Sequence, residues 1–522
     1  MLPRITPEEL EELARGANFA LDSVEAEEYR ALTDFLLGVI DEVEEQKPVP
    51  SKNVPASRNA GRRPEPGEDP LNSIVRWCRV AADEDGPLTG MRIALKDSIA
   101  IGGIPMTCGS RLLEGYVPVE DSVITVRILR AGGEVVAVTN MDNLAFSGGG
   151  DTSWYGPTLC PFDPARTAGG SSSGSAAGLW YEGIDASVGG DQGGSIRVPA
   201  AWCGVVGLKP THGLVPYTGI VGIDQTFDHA GPMALAVEDA ALLLLVLAGK
   251  HPSDPRQREV EVKDYVRAVA EAPDDFHGVR LGVVAEGLGD AVGADERVVG
   301  AFQEALERFR SLGAVVHEIS LPEHVQAGGI AFAGYVEGMT ALLGGGGNGY
   351  HWSGRYWPDL ALALSERLAS RAGDLSDQVK VVLLTGAHLG RLYRGALYAK
   401  AQNLRPRLRD GYDRALGEVD ALLLPTTPGL PHPNEPDLTI SERVKRGWAV
   451  LANTYPTDFT GHPALSIPAA EAEGLPVGVM LVGRRFDDDR LLAVARTYER
   501  AFGRLPKPPS FEEPVLIPAL GD

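Results

Sequence analysis

The spacing of apolar and polar residues changes at about residue 73. Ahead of that point the pattern is helical. Thr6, followed by Pro7 and by Glu9 three positions on, predicts a capped helix with proline in its first turn. Tyr29, Leu32, Phe35, Leu36, Val39, Ile40 and Val43 then recur at three- and four-residue steps, with Glu25, Glu28, Asp41, Glu42 and Glu45 on or near the other side. That is one apolar stripe on a second helix, and it must pack on the rest of the chain or on another subunit. Residues 47–72 carry six prolines and few large apolar groups, which predicts a linker. The expected layout is a helical extension over 1–46, a Pro-rich linker over 47–72 and one large domain over 73–522.

From residue 73 onward, short apolar runs alternate with longer amphipathic stretches. The runs include Arg92–Leu95, Val135–Val138, Asp185–Val188, Leu281–Val284 and Ala421–Leu424. The stretches include Asp121–Ala131, Val237–Ala248, Asp295–Leu312 and Arg490–Phe502. Continuous apolar strands alternating with helices predict an α/β fold whose sheet is covered by helices on both faces. There is no internal repeat. The glycine cluster Gly344–Gly349 is followed by no Gly-Lys-Ser/Thr, so it reads as a loop rather than a phosphate cradle.

Composition narrows the partners. A hydrophobic content of 44% suits a globular protein with a sizeable core. A net charge of −23 repels phosphate backbones and anionic membranes, so neither nucleic acid nor a membrane surface is expected as a partner. Cys78, Cys108, Cys160 and Cys203 are too few and too scattered for a metal or disulfide framework and suit reduced, buried thiols. The first twenty residues, with Glu8, Glu9, Glu11 and Glu12, do not resemble a secretory leader, and no 18-residue apolar run occurs. A cytoplasmic protein is expected.

Two glycine–serine segments stand inside apolar surroundings: Gly169–Ser175 (GGSSSGS) and Gly190–Arg197 (GDQGGSIR). Glycine-rich backbone bounded by core allows something to approach the main chain closely, whereas linkers of this composition are bounded by polar sequence. Gly170–Gly174 also matches the G-x-S-x-G elbow with Ser172 at its centre. An α/β-hydrolase would then require an acid and a histidine downstream. His212 and His229 follow at only 40 and 57 residues with no such arrangement between, and His432 and His462 come later. The elbow is the weaker reading.

Lys96 in RIALKDSIAIGGIPMTCGS, taken with the two glycine–serine runs and with Phe459–Asp488, resembles the amidase signature family over roughly residues 73–505. Lys96 and Ser171 lie 75 residues apart, and Ser171 and Ser195 lie 24 apart, as in that family. The chain is most similar to broad-specificity bacterial amidases of nitrile degradation, which share the helical extension and the stretch Val206–Gly219. The resemblance implies the amidase signature fold, a large mixed β-sheet, and a Ser195–Ser171–Lys96 triad working through an acyl-enzyme. It also implies a cis peptide before Ser171, a homodimer, a small-molecule amide substrate, no metal and no cofactor.

The chemistry of these residues supports the assignment on its own terms. A serine hydroxyl needs a base to become a nucleophile, and lysine serves only when burial lowers its pKa from about 10.4 towards 7–8. Lys96 closes an apolar strand, where such burial is available; the alternative is a salt bridge to Asp97. Gln192, Gly193 and Gly194, with Ser195, offer backbone N–H groups for an oxyanion hole. Asp191 and Arg197 are expected to pair and hold that loop, with Ser172, Ser173 and Thr167 hydrogen-bonded locally. Phe146, Trp154, Trp202 and the 325–350 region are candidate walls of the acyl pocket. Ser173 and Cys160 stand where the family more often has glycine and asparagine. Two other activities stay open within the resemblance: the glutaminase-type subunit of a tRNA-dependent amidotransferase, and hydrolysis of carbamates, esters or aryl acylamides. A non-catalytic protein on the same scaffold would not need all three triad residues.

Overall fold

Along the apolar runs, successive side chains enter different cores, which is the signature of a sheet buried on both sides. The computed structural model describes residues 2–46, 53–511 and 514–520. In β3 (Arg92–Lys96), Ile93 and Leu95 join one hydrophobic cluster while Ala94 joins another. In β12 (Leu475–Val482), Val479 and Leu481 face one cluster, and Met480 and Val482 a different one. Helices supply the opposing surfaces: α3 (Val123–Arg130) and α6 (Val237–Leu247) against the first, and α4 (Ser173–Ala177) and α5 (Arg197–Cys203) against the cluster of Ala94.

The other strands are β1 (Ala56–Arg62), β2 (Ile74–Ala82), β4 (Glu134–Thr139), β5 (Ala186–Asp191), β6 (Val206–Lys209), β7 (His229–Ala234), β8 (Arg280–Val284), β9 (Val315–Ile319), β10 (Ala421–Pro425) and β11 (Ala464–Ala472). They form one twelve-stranded mixed sheet in the order β1-β2-β4-β3-β5-β7-β6-β11-β12-β10-β8-β9. Fifteen α-helices accompany it among the described residues, α1 (Pro7–Gly16) and α2 (Ser23–Glu45) included. β3 runs parallel to both β4 and β5, with Leu95 opposite Val138 on one side and Val188 on the other. This pairing brings the carboxyl ends of β3 and β5 to the same edge, so Lys96 and the loop after Asp191 meet there. In sheets of parallel strands, that edge is where sites are built.

The linker expected over 47–72 needs correction. Residues 47–52 lie outside the described residues, but Ala56–Arg62 is an edge strand, antiparallel to β2 with Ala56 opposite Ala82. Its polar residues and flanking prolines suit an edge strand, which shows one side to water. Composition alone cannot distinguish that from a linker.

The chain divides into two units, 1–52 and 53–522. In the first, Thr6 with Glu9 and Asp22 with Glu25 form capping boxes at the starts of α1 and α2. Arg4 clasps Asp41 at 2.6 Å, tying the chain start to α2. The predicted stripe is present on α2, and α1 does not cover it: Leu32, Phe35, Leu36, Val39 and Val43 are each more than half accessible.

Candidate active site

The last residue of β3, Lys96, is completely buried, with its Nζ 2.8 Å from Ser171 Oγ and 3.4 Å from the Gly190 carbonyl oxygen. Burial pulls its pKa down to about 7, against the opposing influence of Asp142 and Asp191. Asp97 forms no ion pair with it. That carboxylate instead accepts hydrogen bonds from the Thr107 hydroxyl and from the Thr107 and Gly109 amides. Near neutral pH Lys96 is therefore poised between its charged and neutral forms, facing a single hydroxyl.

Ser171 lies two residues before α4, and the Gly170–Ser171 peptide bond is cis. The two glycine–serine segments are joined by backbone: the Ser172 amide donates to the Ser195 carbonyl at 3.1 Å. Ser172, the centre of the apparent elbow, uses its hydroxyl as a brace, donating to the Gly190 carbonyl at 3.0 Å and accepting from the Gly190 amide at 3.2 Å. Ser173 accepts from Thr158, and Thr167 donates to the His432 carbonyl. Ser195 is 4% exposed and sits on the wall of a pocket, its hydroxyl without a hydrogen bond among the described residues.

The loop carrying Ser195 is held from beneath. Arg197 grips Asp191 with two bonds of 2.9 Å, and both side chains are fully buried. The same guanidinium reaches Asp458 at 2.8 Å, Thr457 Oγ1 at 2.7 Å and the Thr454 carbonyl at 2.9 Å. Burial alone would raise the Asp191 pKa, but the Arg197 charge overrides it and holds the carboxyl at about 2. The pairing expected between Asp191 and Arg197 is thus present. Asp458, Thr454 and Thr457 are not legible as its partners, because the sequence separates them from Arg197 by more than 250 residues.

One member of the predicted oxyanion hole is corrected. The Gly194 amide donates to Asp191 Oδ1 at 2.6 Å, and the Ile196 amide to Asp191 Oδ2 at 3.1 Å. The Gly194 N–H is therefore committed to the loop itself. The amides of Gln192, Gly193 and Ser195 have no hydrogen-bond acceptor among the described residues. Gly194 matters through its lack of a side chain: its φ is +139°, and a Cβ there would lie 2.1 Å from Thr454 Oγ1. Gly194→Ala is expected to lower kcat about 10²–10³-fold, the usual effect of losing one oxyanion donor, by displacing the neighbouring amides. Steady-state kinetics with the melting temperature measured alongside will separate this from unfolding.

The pocket beside Ser195 is lined by Phe146, Ile223, Phe332, Tyr335, Trp448 and Leu451 among others, and no charged side chain lines it. Phe146 is placed as expected, edge-on to Tyr335 with centroids 6.2 Å apart. Phe332 and Tyr335 belong to the helix Glu323–Gly344, within the 325–350 region expected to contribute. Tyr335 also donates its hydroxyl to the Gln192 carbonyl at 2.7 Å, and Gln192 Nε2 donates to Tyr217 at the same distance. Trp154 does not belong here. It is 40% exposed and packs on Tyr155 with Arg111 over its ring. Trp202 is buried beneath the loop and donates to the Gly429 carbonyl. Ring size alone cannot tell a pocket wall from these two roles. Among the described residues, no cluster of His, Cys, Asp or Glu could hold a metal ion, and no helix is long and apolar enough to cross a membrane.

Comparison with known proteins identifies the family. The family model described as amidase matches residues 76–492. An enantioselective amidase of Rhodococcus rhodochrous is 38% identical, with 85% of this chain and 86% of that protein covered. A glutamyl-tRNA(Gln) amidotransferase subunit of Halobacterium salinarum is 36% identical, covering 82% of this chain and 100% of that protein. Among solved structures, the peptide amidase of Stenotrophomonas maltophilia superposes with a TM-score of 0.65 at 29% identity, covering 81% of this chain and 85% of that one. With its matching model spanning most of the sequence, the chain belongs to the amidase family and is an enzyme that hydrolyses the carbon–nitrogen bond of amides.

Proposed function

We propose that the chain cleaves small carboxamides bearing an apolar acyl group, through an acyl-enzyme on Ser195. The observation that carries this reading is the 2.8 Å contact between a fully buried Lys96 and Ser171, whose neighbour Ser172 bonds the Ser195 carbonyl through its amide, with Ser195 itself lining an uncharged pocket. Neutral Lys96 takes the Ser171 proton as Ser171 takes that of Ser195, whose oxygen attacks the amide carbon. Negative charge builds on the carbonyl oxygen, opposite the amides of Gln192, Gly193 and Ser195. The proton returns through Ser171 to the leaving nitrogen, the C–N bond breaks, and ammonia or an amine departs. Water, activated by the same relay, then cleaves the Ser195 ester and releases the carboxylic acid. No step calls for a cofactor.

A second reading, the glutaminase-type subunit of a tRNA-dependent amidotransferase, draws support from relatives of that name. Glutamine would bring a charged ammonium and a charged carboxylate into a pocket with no charged side chain to receive them, and desolvating such groups unpaired is costly. The apolar pocket favours the stand-alone amidase. Carbamates, esters and aryl acylamides present the same kind of carbonyl to the same residues and belong to this reading as further substrates.

The exposed stripe of α2 supports a homodimer, since seven apolar positions on one helix face suit a second copy rather than water. Four free, buried cysteines suit a cytoplasmic setting. One experiment tests oligomeric state and activity together. Gel filtration of the chain expressed alone, with fractions assayed for ammonia release from an aromatic amide and from glutamine, is expected to show activity on the aromatic amide at twice the 55.4 kDa chain mass. Leu36→Glu with Val39→Glu is expected to move that peak to the monomer position. Glutamine turnover appearing only with added partner subunits would favour the second reading.

A further inference from the structure

We propose that a second cleft, sharing no residue with the Ser195 pocket, binds a small multivalent oxyanion, an oligophosphate or polycarboxylate. Its volume, about 870 Å³, is within the range that holds small-molecule ligands. Its walls carry Arg256, Arg258, Arg405, Arg409 and Arg485 against one carboxylate, Glu259. The chain as a whole has 71 acidic and 48 basic residues, so an unselected patch of its surface would hold more acids than bases. Here the balance is reversed.

Four of the five arginines have no close carboxylate among the described residues, and Arg405 and Arg409 are held in place by neutral acceptors. Arg405, on the helix Ala396–Glu418, donates to the carbonyls of Phe459 and Thr226 and to Gln402 Oε1, at 2.8–2.9 Å, and forms no ion pair among the described residues. One turn later, Arg409 donates its Nε to the Thr460 carbonyl at 3.0 Å, its sole side-chain hydrogen bond among the described residues. Arg485 approaches a carboxylate no closer than 3.7 Å, and that carboxylate, Asp413, is also engaged by His462 at 3.0 Å. Arg258 is exposed and its guanidinium forms no hydrogen bond or ion pair among the described residues. Of the five, Arg256 alone has a close carboxylate, Asp254 at 2.7 Å. Burial, and then the neighbouring Arg485, lowers the pKa of Arg409. The four guanidinium groups without a close carboxylate, those of Arg258, Arg405, Arg409 and Arg485, present donor forks matched to carboxylate and phosphate oxygens. They come from separate elements, the 256–258 loop, the helix of Arg405 and Arg409, and the loop of Arg485. A ligand that engages all of them needs more than one anionic group.

Calorimetric titration of the full chain with pyrophosphate and, separately, with citrate tests the cleft, with sodium chloride at matched ionic strength as the control for screening. The expected result is saturable one-to-one binding of at least one of the two. That binding should weaken by about tenfold or more in Arg409→Gln/Arg485→Gln, the effect of losing roughly 1.4 kcal/mol. The anion that binds identifies the phosphate or the carboxylate class. Arg258→Gln, which disturbs no internal contact, should weaken binding in a chain that keeps its fold. Amide turnover without added anion should be unchanged in both variants. Absence of saturable binding up to about 10 mM overturns the proposal. Equal affinity in wild type and both variants does so as well.

Discussion

Ser195→Ala is expected to reduce kcat by roughly 10⁴–10⁶-fold while leaving the melting temperature and the pocket unchanged. The size of the loss follows from the way a nucleophile and its base act as one unit: removing either forfeits the whole covalent route, and only oxyanion and binding contributions remain. The fold should not register the change. Ser195 forms no side-chain hydrogen bond among the described residues, and the loop is fixed by Asp191, Arg197 and the Ser172 amide, none of which depends on its hydroxyl. Residual activity within tenfold of wild type would remove Ser195 from the nucleophile's role. A large fall in melting temperature would show that the hydroxyl has a structural function. Kinetics with benzamide-type substrates, beside a thermal melt, decides both.

Lys96→Met is expected to be nearly as damaging to turnover, again roughly 10⁴–10⁶-fold, yet neutral or favourable for stability. Methionine keeps most of the length and volume of lysine but has no amine to bury. Lys96 is entirely enclosed, and burial is the largest influence on its pKa. Its one close partner is a neutral hydroxyl at 2.8 Å, so no carboxylate would be stranded by the replacement. Removing a buried ionisable group under those conditions relieves a desolvation cost. A buried lysine kept for structure would show the opposite pattern, with activity retained and the chain destabilised. Denaturant unfolding and steady-state kinetics on one preparation distinguish the two.

The parts of this site that can be read in the sequence are those carried by short segments. GGSSSGS and GDQGGSIR each bring their own chemistry, and the apolar run before Lys96 announces its burial. The Asp191–Arg197 pair is six residues apart, so its geometry is local. What cannot be read comes from elsewhere in the chain. Thr454, Thr457 and Asp458 complete the Arg197 clamp from a segment more than 250 residues away, and Trp448 and Leu451 reach the pocket from just before it. Pattern identifies such residues as buried but cannot say against what. The Gly194 amide escapes a sequence reading for a related reason: whether an N–H faces a substrate or a neighbouring carboxylate is decided by a modest rotation of the backbone. The edge strand Ala56–Arg62 is hidden by prolines and polar residues, which serve an exposed sheet edge as well as they serve a linker.

The central claim is that a neutral Lys96, reached through Ser171, generates the nucleophile. It is tested most directly by the pH dependence of kcat/KM for the free enzyme, measured from about pH 5 to 9 with an amide substrate that does not itself titrate. Lys96 holds its pKa at about 7, below the ordinary 10.5 of lysine, and the competent form is the deprotonated one. The rate should therefore be level above about pH 8, bend near 7, and fall about tenfold for each further pH unit. A profile that stays flat down to about pH 5 would contradict a lysine base.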